Sequence, residues 1–453
     1  MGVRKNRRKG EALAVALFST VFITILSAGA SADLRVWEQG VDEESGEVSD
    51  PRSHRFLDLT AFLQPGFVIR LADEDGGRTD DSPFLQRARA GFYAQAQWWL
   101  KLRFEAEFVP TPSIQDAFVD LTPHPYVNLR AGQFQVPFLR TSLFNELDLG
   151  FLDRPLYMPA RGFRSSIDAL RVRDIGAMVH GRIGDTEEGA FKPVFEYQLG
   201  AFVGGGPNEP DNADNALLYA ARLGLHVFGL PEGANEESDI ARNTRPRLSL
   251  AGSVVSNCNG DENWNRGWNT DAEFRWMGLY VSTSFFWLKN GPAKSGQLGY
   301  GNGCGQGFNL PEGDPERPTT EPIDFISRGA HLQVQYVLPE VLFPVRNQAL
   351  EVLARFDWVD PNTPFESGRA IRGPSDPEAS PQYVAPGTID DPGNAPTRYR
   401  LTFGINWFPT SDQSLRIQLN YQHNRESEDI VTGLESTGSV RNDVLWLQIT
   451  AGL

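Results

Sequence analysis

The sequence predicts an all-β fold, a 16-stranded antiparallel transmembrane β-barrel, and three observations predict it. Segments of about ten residues with alternating apolar and polar positions recur from about residue 56 to the C-terminus, each followed by a turn. A period of 2 is the mark of a strand with two unlike faces. The chain opens with an export signal, yet no later stretch approaches the ~18 apolar residues of a spanning helix. A backbone at membrane depth is otherwise satisfied only in a closed barrel. Finally, the connections alternate between long and short, as in a barrel whose termini share one side of the membrane.

Composition fits an exported protein of either soluble or barrel type. The chain has 453 residues, 40% hydrophobic and 22% charged, with a mean hydropathy of −0.35. Its 50 Phe, Tyr and Trp exclude wholesale disorder. The net charge of −16 argues against a nucleic-acid partner. Lysine is rare, 6 against 36 arginines, and arginine is the better fork for oxyanions.

The first element is a signal peptide over 1–32. Arg4, Lys5, Arg7, Arg8 and Lys9 form a positive start, Ala12 to Leu26 an apolar run, and Ala30-Ser31-Ala32 a small-residue end. Cleavage before Asp33 is expected, and it leaves a net charge of about −20 because five cations and Glu11 are removed. A membrane anchor is the alternative, but the run is short for a span. Residues 33–55 are polar and acidic and read as a short periplasmic lead-in.

The barrel occupies 56–453. Its sixteen strands are expected near 57–71, 84–97, 99–109, 114–121, 126–134, 173–183, 194–203, 215–228, 246–256, 268–277, 278–290, 325–338, 348–360, 396–408, 414–425 and 442–453. In 100–108 the apolar face is Leu100, Leu102, Phe104, Ala106 and Phe108, and the polar face Lys101, Arg103, Glu105 and Glu107. The same split recurs in 350–358, 399–407, 415–421 and 445–453. An even strand count suits a single-chain barrel, and sixteen leaves an aqueous lumen. The long connections, 72–83, 135–172, 204–214, 257–267, 291–324, 361–395 and 426–441, are assigned to the extracellular side, with 229–245 an unusually long turn opposite. Aromatics near strand ends, including Trp98, Trp99, Tyr126, Trp276, Tyr280, Trp407 and Tyr421, are expected to form interfacial girdles.

Three pieces carry a resemblance: FLQRARAGFYAQ at 84–95, VNLRAGQFQVPF at 127–138 and RDIGAMVHGRI at 173–183. In this order and spacing they resemble the phosphate-selective porin O and P family of Gram-negative outer membranes. The motif-bearing match covers about 84–183. It implies a homotrimeric outer-membrane pore, a third extracellular loop folded inward as a constriction over about 135–172, and basic residues along an anion path. Carried over by position, Arg130, Gly132, Gln133, Phe134, Pro137 and Phe138 close the fifth strand and open that loop, while Arg173, Asp174, Gly176 and Gly181 start the sixth. Pro137 lacks a donor and ends ladder pairing there. Gly132 is expected to leave room for the loop.

The candidate anion path comprises Arg87, Arg89, Arg130, Arg140, Arg154, Arg161, Arg164, Arg171 and Arg173. Glu146, Asp148, Asp153, Asp168 and Asp174 lie among the last six, so two readings stand together. The arginines guide anions through a waist, or they pin the loop to the wall through carboxylate forks. By parity the lumen also receives Lys101, Arg103, Arg222, Arg275, Arg355, Arg398, Arg400 and Arg416 against Glu105, Glu107, Asp116, Asp120, Asp271, Glu273, Glu351 and Asp357. That is a mixed lining. The outer loops are mostly acidic, which opposes phosphate steering at low salt.

Cys258 and Cys304 both fall in expected extracellular loops, where a disulfide is expected. No metal or cofactor is expected, since the six histidines are scattered. No catalytic motif is present. The last strand is the expected signal to the barrel-assembly machinery, although it ends in Leu453 where such strands end in an aromatic. The expected function is passive passage of small anions or other hydrophilic solutes through a pore set in outer-membrane lipid. A secreted β-sandwich or propeller binding protein and a barrel hydrolase are the alternatives.

Overall fold

The alternation seen along the sequence becomes a closed ring of strands. The computed structural model describes residues 34–39, 48, 52–73, 81–124, 126–158, 173–187, 190–210, 217–259, 263–290, 325–341, 343, 345, 347–363, 397–410, 414–426 and 441–452. The signal peptide, Arg161, Arg164, Asp168, Arg171, Cys304 and most of the long loops lie outside the described residues.

Strand β1 (Leu34–Gln39) precedes sixteen barrel strands. These are β2 (Arg55–Asp73), β3 (Ser82–Gln97), β4 (Leu100–Glu107), β5 (Ser113–His124), β6 (Val127–Gln135), β7 (Arg173–Gly184), β8 (Val194–Phe202) and β9 (Leu218–His226). They continue as β10 (Arg247–Asn259), β11 (Asn263–Trp276), β12 (Leu279–Asn290), β13 (Phe325–Val337), β14 (Ala349–Thr363), β15 (Arg398–Phe408), β16 (Leu415–Glu426) and β17 (Arg441–Gly452). Every sequential pair from β2 to β17 is antiparallel, and β17 pairs back onto β2, so the sheet closes. Closure leaves the sixteen-stranded ring no free edge. A sandwich or a propeller is not compatible with this single ring.

The residue distribution is the inverse of a soluble core. Large apolar side chains such as Leu199, Leu223, Val254, Leu332, Phe403 and Ile405 are exposed on the outer face. Arg275, Glu351, Arg355, Asp357, Asn406 and Gln418 are buried inside. Apolar outward and polar inward at period 2 is what hydrocarbon outside and a polar lumen require. Trp98, Trp99, Tyr126 and Trp276 are exposed at the short-turn end, where an interfacial aromatic band belongs. Tyr280 does not join it. Its ring is fully buried in the lumen and its hydroxyl donates to Glu273 Oε1 at 3.0 Å.

Several sequence expectations change. The lead-in 33–55 contains β1, which pairs with residues 55–59 of β2, while β17 pairs with 62–73 of that strand. β1 thus takes over the edge of β2 where β17 ends. Most of the loop expected at 257–267 is strand instead, because β10 and β11 stay in register from Arg247↔Arg275 to Asn259↔Asn263. Cys258 therefore belongs to a strand. Gln135, placed in the constriction loop, ends β6, and Pro137 follows just after it. Gly132 serves strand contact rather than loop packing. Its φ is +130°, and a Cβ there would strike the Ala117 carbonyl and Phe118 Cα of β5.

Candidate functional site

Residues 136–158 leave β6 and fold into the lumen, with a single helical turn, α1 (Arg140–Leu143). The descent has an apolar root. Val136, Phe138, Leu139, Tyr157 and Met158 pack against Phe134, Met178, Phe202, Leu218, Phe286, Leu288 and Val359. These are strand residues on the inner face, so the lumen holds a hydrophobic core near the long-loop end. Burying such side chains against one another fixes the loop's entry far more firmly than solvated polar contacts would. Parity alone hid this, since inner positions were read as polar. The signal that marks it is the unbroken apolar run Phe285-Phe286-Trp287-Leu288.

Beyond the root, charge takes over. Arg89 reaches Glu105 Oε1 (3.0 Å), Glu107 Oε2 (2.8 Å) and Glu146 Oε2 (2.6 Å). Arg154 and Arg173 approach Glu146 Oε1 at 3.2 and 3.7 Å. Arg173 also donates to Asp116 at 2.8 Å. Glu146 is thus a hub between β3, β7 and its own loop. Burial alone would raise its carboxyl, but the guanidiniums of Arg89, Arg173, Arg154 and Arg87 hold it well below the usual carboxylate range. Arg140 donates to Glu273 on β11 at 3.0 Å and to the Ala234 carbonyl at 2.9 Å. Arg130 pairs with Asp120 at 2.6 Å. Arg87 hydrogen-bonds the neutral Gln64 Oε1 at 2.8 Å.

The structure therefore brings Arg87, Arg89, Arg154 and Arg173 together around Glu146, and it sets Arg130 and Arg140 apart from them. The family-motif residues serve the loop's exit. Gln133 donates to the Ile114 and Gln115 carbonyls at 2.6 and 3.1 Å. Asp174 accepts from Gly204 N at 2.8 Å. Gly176 has no room for a side chain, because a Cβ would meet Ala201 and Phe202 of β8. The Phe138 carbonyl accepts from Arg222 and Asn269, both at 3.4 Å. Cys258 is in register with Trp264 in the β10–β11 ladder, and its expected partner Cys304 lies outside the described residues.

A second segment joins the loop. The connection 227–246 between β9 and β10, read from sequence only as a long turn, folds inward as well. Arg275 donates to the Gly233, Glu236 and Ser238 carbonyls at 2.6, 2.6 and 2.9 Å. Ser238 Oγ donates to Glu351 Oε1 at 2.6 Å. The two inward segments then bond to each other. Glu237 N donates to the Asp148 carbonyl at 2.8 Å, and Gly150 N to Glu237 Oε2 at 3.1 Å. Burial, with the Glu236 carboxylate nearby, pushes Asp148 up to about 7. Burial likewise raises Glu237 against the pull of Arg355.

The loop does not cover all walls alike. On β13–β17 the inner side chains are sealed: Gln335, Asn406 and Asn420 have no exposed surface. On β4–β9, toward the short-turn end, the inner side chains keep part of theirs. Arg103 is 26% exposed, Arg130 25%, His180 19% and Arg182 42%. They form a chain of alternating sign with Asp116, Asp120 and Glu196. The open part of the lumen lies along this charged crescent.

No protein-family model matches the sequence, and no curated protein matches it. The fold itself is similar to solved structures. An anion-selective porin from Comamonas acidovorans shares it with a TM-score of 0.50 at 10% identity, covering 88% of this chain and 100% of that one. OmpT, an outer membrane protein of Vibrio cholerae in a trimer form, has a TM-score of 0.46 at 10% identity, covering 88% and 99%. Pseudomonas putida OprB has 0.47 at 10%, covering 88% and 94%. The chain thus has the barrel fold of a porin, and the likeness concerns the fold rather than the solute.

Proposed function

We propose that this chain is a passive outer-membrane porin of a Gram-negative bacterium, passing small hydrophilic solutes with a preference for anions. The observation that carries the reading is the inverted barrel with a partly open, charged crescent inside it. Outer-membrane lipid takes the apolar exterior, and three copies assemble as in the family that the 84–183 motifs resemble. Lys101, Arg103, Arg130 and Arg182 line the crescent among fewer exposed acids. Arg87, Arg89, Arg154 and Arg173 flank the waist above it, and the sequence assigns Arg161, Arg164 and Arg171 to the same path. Guanidiniums at a narrow, low-dielectric passage favour anions without binding them covalently. Three of the four described waist arginines, Arg89, Arg154 and Arg173, are already paired with carboxylates, so the preference is modest and phosphate is not singled out. The fold relative described as an anion-selective porin makes selectivity the property to measure.

Planar-bilayer conductance in a KCl gradient, followed by phosphate titration, tests the proposal. An anion-selective reversal potential with millisecond-stable open currents is expected. A cation-selective potential would reject the anion preference, and no conductance from heat-modifiable, detergent-extracted protein would reject the porin. A loss of selectivity in an Arg161→Ala, Arg164→Ala double variant would assign those two residues to the path.

A further inference from the structure

The sealed wall differs in chemistry from the open one. On β13–β17 the inner face presents Gln335, Thr402, Asn406, Gln418, Gln422 and Gln448, each buried, with the ions Glu351, Arg355, Asp357 and Arg416 among them. Segment 144–154 lies on this face and offers it neutral oxygen. The Gly150 carbonyl accepts from Asn406 Nδ2 at 2.8 Å and Gln418 Nε2 at 3.0 Å. The Asp153 and Arg154 carbonyls accept from Arg355 at 2.8 and 3.1 Å, and the Phe151 ring lies 4.5 Å from that guanidinium.

The match is incomplete. Gln335 has neither amide atom bonded, Gln448 Oε1 and Asp357 Oδ1 lack donors, and Thr402 Oγ1 and Gln422 Nε2 lack partners. Buried polar atoms are normally paired, and each one left over weakens the state that buries it. The leftover set contains both donors and acceptors. A peptide carbonyl can satisfy donors alone, and so can an oxyanion. A hydroxyl satisfies both.

We propose that the β13–β17 wall is a binding lane for neutral polyhydroxylated solutes of saccharide type, and that segment 144–154 occupies this lane as a displaceable internal stand-in. The stand-in is held by Glu146 at the arginine hub and at its tip by the 227–246 turn through the Asp148–Glu237–Gly150 contacts. A solute rich in hydroxyls replaces the Gly150, Asp153 and Arg154 carbonyls and also pairs the atoms they leave bare. A flat ring face can take the place of Phe151 beside Arg355. The proposal rests on the porin reading and adds a second solute class to it, carried by a different wall.

The test uses the full chain in liposomes, with raffinose as the neutral probe and KCl as the charged one. In a Gln335→Met, Gln422→Met double variant the ratio of raffinose swelling rate to KCl conductance is expected to fall several-fold, because apolar side chains remove the solute's partners while suiting the seated segment. An unchanged ratio overturns the lane. A second measurement does not depend on that variant. In a Cys258→Ser, Cys304→Ser background, Gln335→Cys is expected to react slowly with a small charged thiosulfonate reagent, and Lys101→Cys quickly. Complete protection of Gln335→Cys beside a reactive Lys101→Cys shows a fixed segment and overturns the proposal while sparing the porin. Absence of both KCl conductance and Lys101→Cys labelling removes the porin reading itself, and the lane with it.

Discussion

The two walls of one barrel have been built for opposite states. Along β4–β9, toward the short-turn end, Arg103, Arg130, His180 and Arg182 are partly exposed beside the carboxylates of Asp116, Asp120 and Glu196. Along β13–β17 the inner side chains are mostly amides and hydroxyls, with Glu351, Arg355, Asp357 and Arg416 buried among them. Charge that stays near water costs little to maintain, because solvent screens and hydrates it. Amides can be sealed without the desolvation penalty of ions, provided that they find partners. The difference teaches that the loop's position is dictated by wall chemistry. It rests on a wall rich in amides, whose buried ions find partners in the inward segments, as Arg355 and Arg416 do in its own carbonyls and Glu351 in Ser238 of the turn, and it leaves open the wall whose cations keep contact with water.

The largest expected effect comes from Glu146, the joint between the two regions. Glu146→Gln removes the carboxylate of Arg154 outright and one of those serving Arg89 and Arg173. Breaking a buried pair from one side typically costs about 3–5 kcal/mol. The loop should lose its seat. Single-channel conductance should rise and the calorimetric melting temperature fall. An unaltered conductance would show that the walls, rather than the hub, hold the loop. Gly150→Val acts from the amide side. Its Cβ would intrude on the Gln335 amide, and overpacking of this kind costs about 1–3 kcal/mol. Conductance should rise again, by less, and anion selectivity should stay unchanged, since no charge is removed.

How much of this contrast was legible in the sequence follows from which physics is local. Strand positions are local, and all sixteen barrel strands appear near their expected bounds, because alternation over ten residues is a strong signal. The inner charges were legible by parity, from Arg87 to Arg416. The assignment of Tyr280 to a girdle failed, since an aromatic at a strand end carries no mark of its face except parity, and parity places it inward beside Glu273. The pairing of Glu146 with three arginines was not legible, because it joins β3, β7 and a loop across 57 residues of chain in the case of Arg89. The inward fold of 227–246 was signalled only by its length. Its anchor, Arg275, lies on β11 and looks in sequence like any other lumen base.

The charged wall allows a smaller and more selective break. Arg103→Gln with Arg130→Gln removes two guanidiniums from the crescent while leaving Asp116 and Asp120 in place. Asp116 and Asp120 are buried but keep Arg173 and His180 as partners, so the melting temperature should fall only slightly. The reversal potential in a KCl gradient should move toward cation selectivity. A potential that stays put would place the conducting path away from this wall and dissolve the contrast between the two regions.

The smallest effect is a pH dependence at the tip where the inward segments meet. Asp148 faces Glu236 and Glu237 of the turn, Glu146 of its own loop, Arg416 of β16 and Arg103 of β4. Burial and the Glu236 carboxylate lift it to about 7. A carboxyl with a raised pKa holds its proton more tightly in the seated loop than in the released one. Its contribution to seating is therefore complete below its ordinary value of about 4 and is lost as pH climbs through the raised one. Glu146 is displaced in the opposite direction, so its contribution is lost only on strong acidification, well away from neutrality. Glu237 is raised like Asp148 and acts with it. Conductance should thus increase modestly between about pH 4 and pH 7, the interval from the ordinary value of Asp148 to its raised one. Asp148→Asn, which keeps the shape and removes the titration, should flatten most of that rise. A steep rise that survives in Asp148→Asn would shift the sensor to Glu237, while a fall with increasing pH would contradict the sign of both groups and with it the neutral character of the tip.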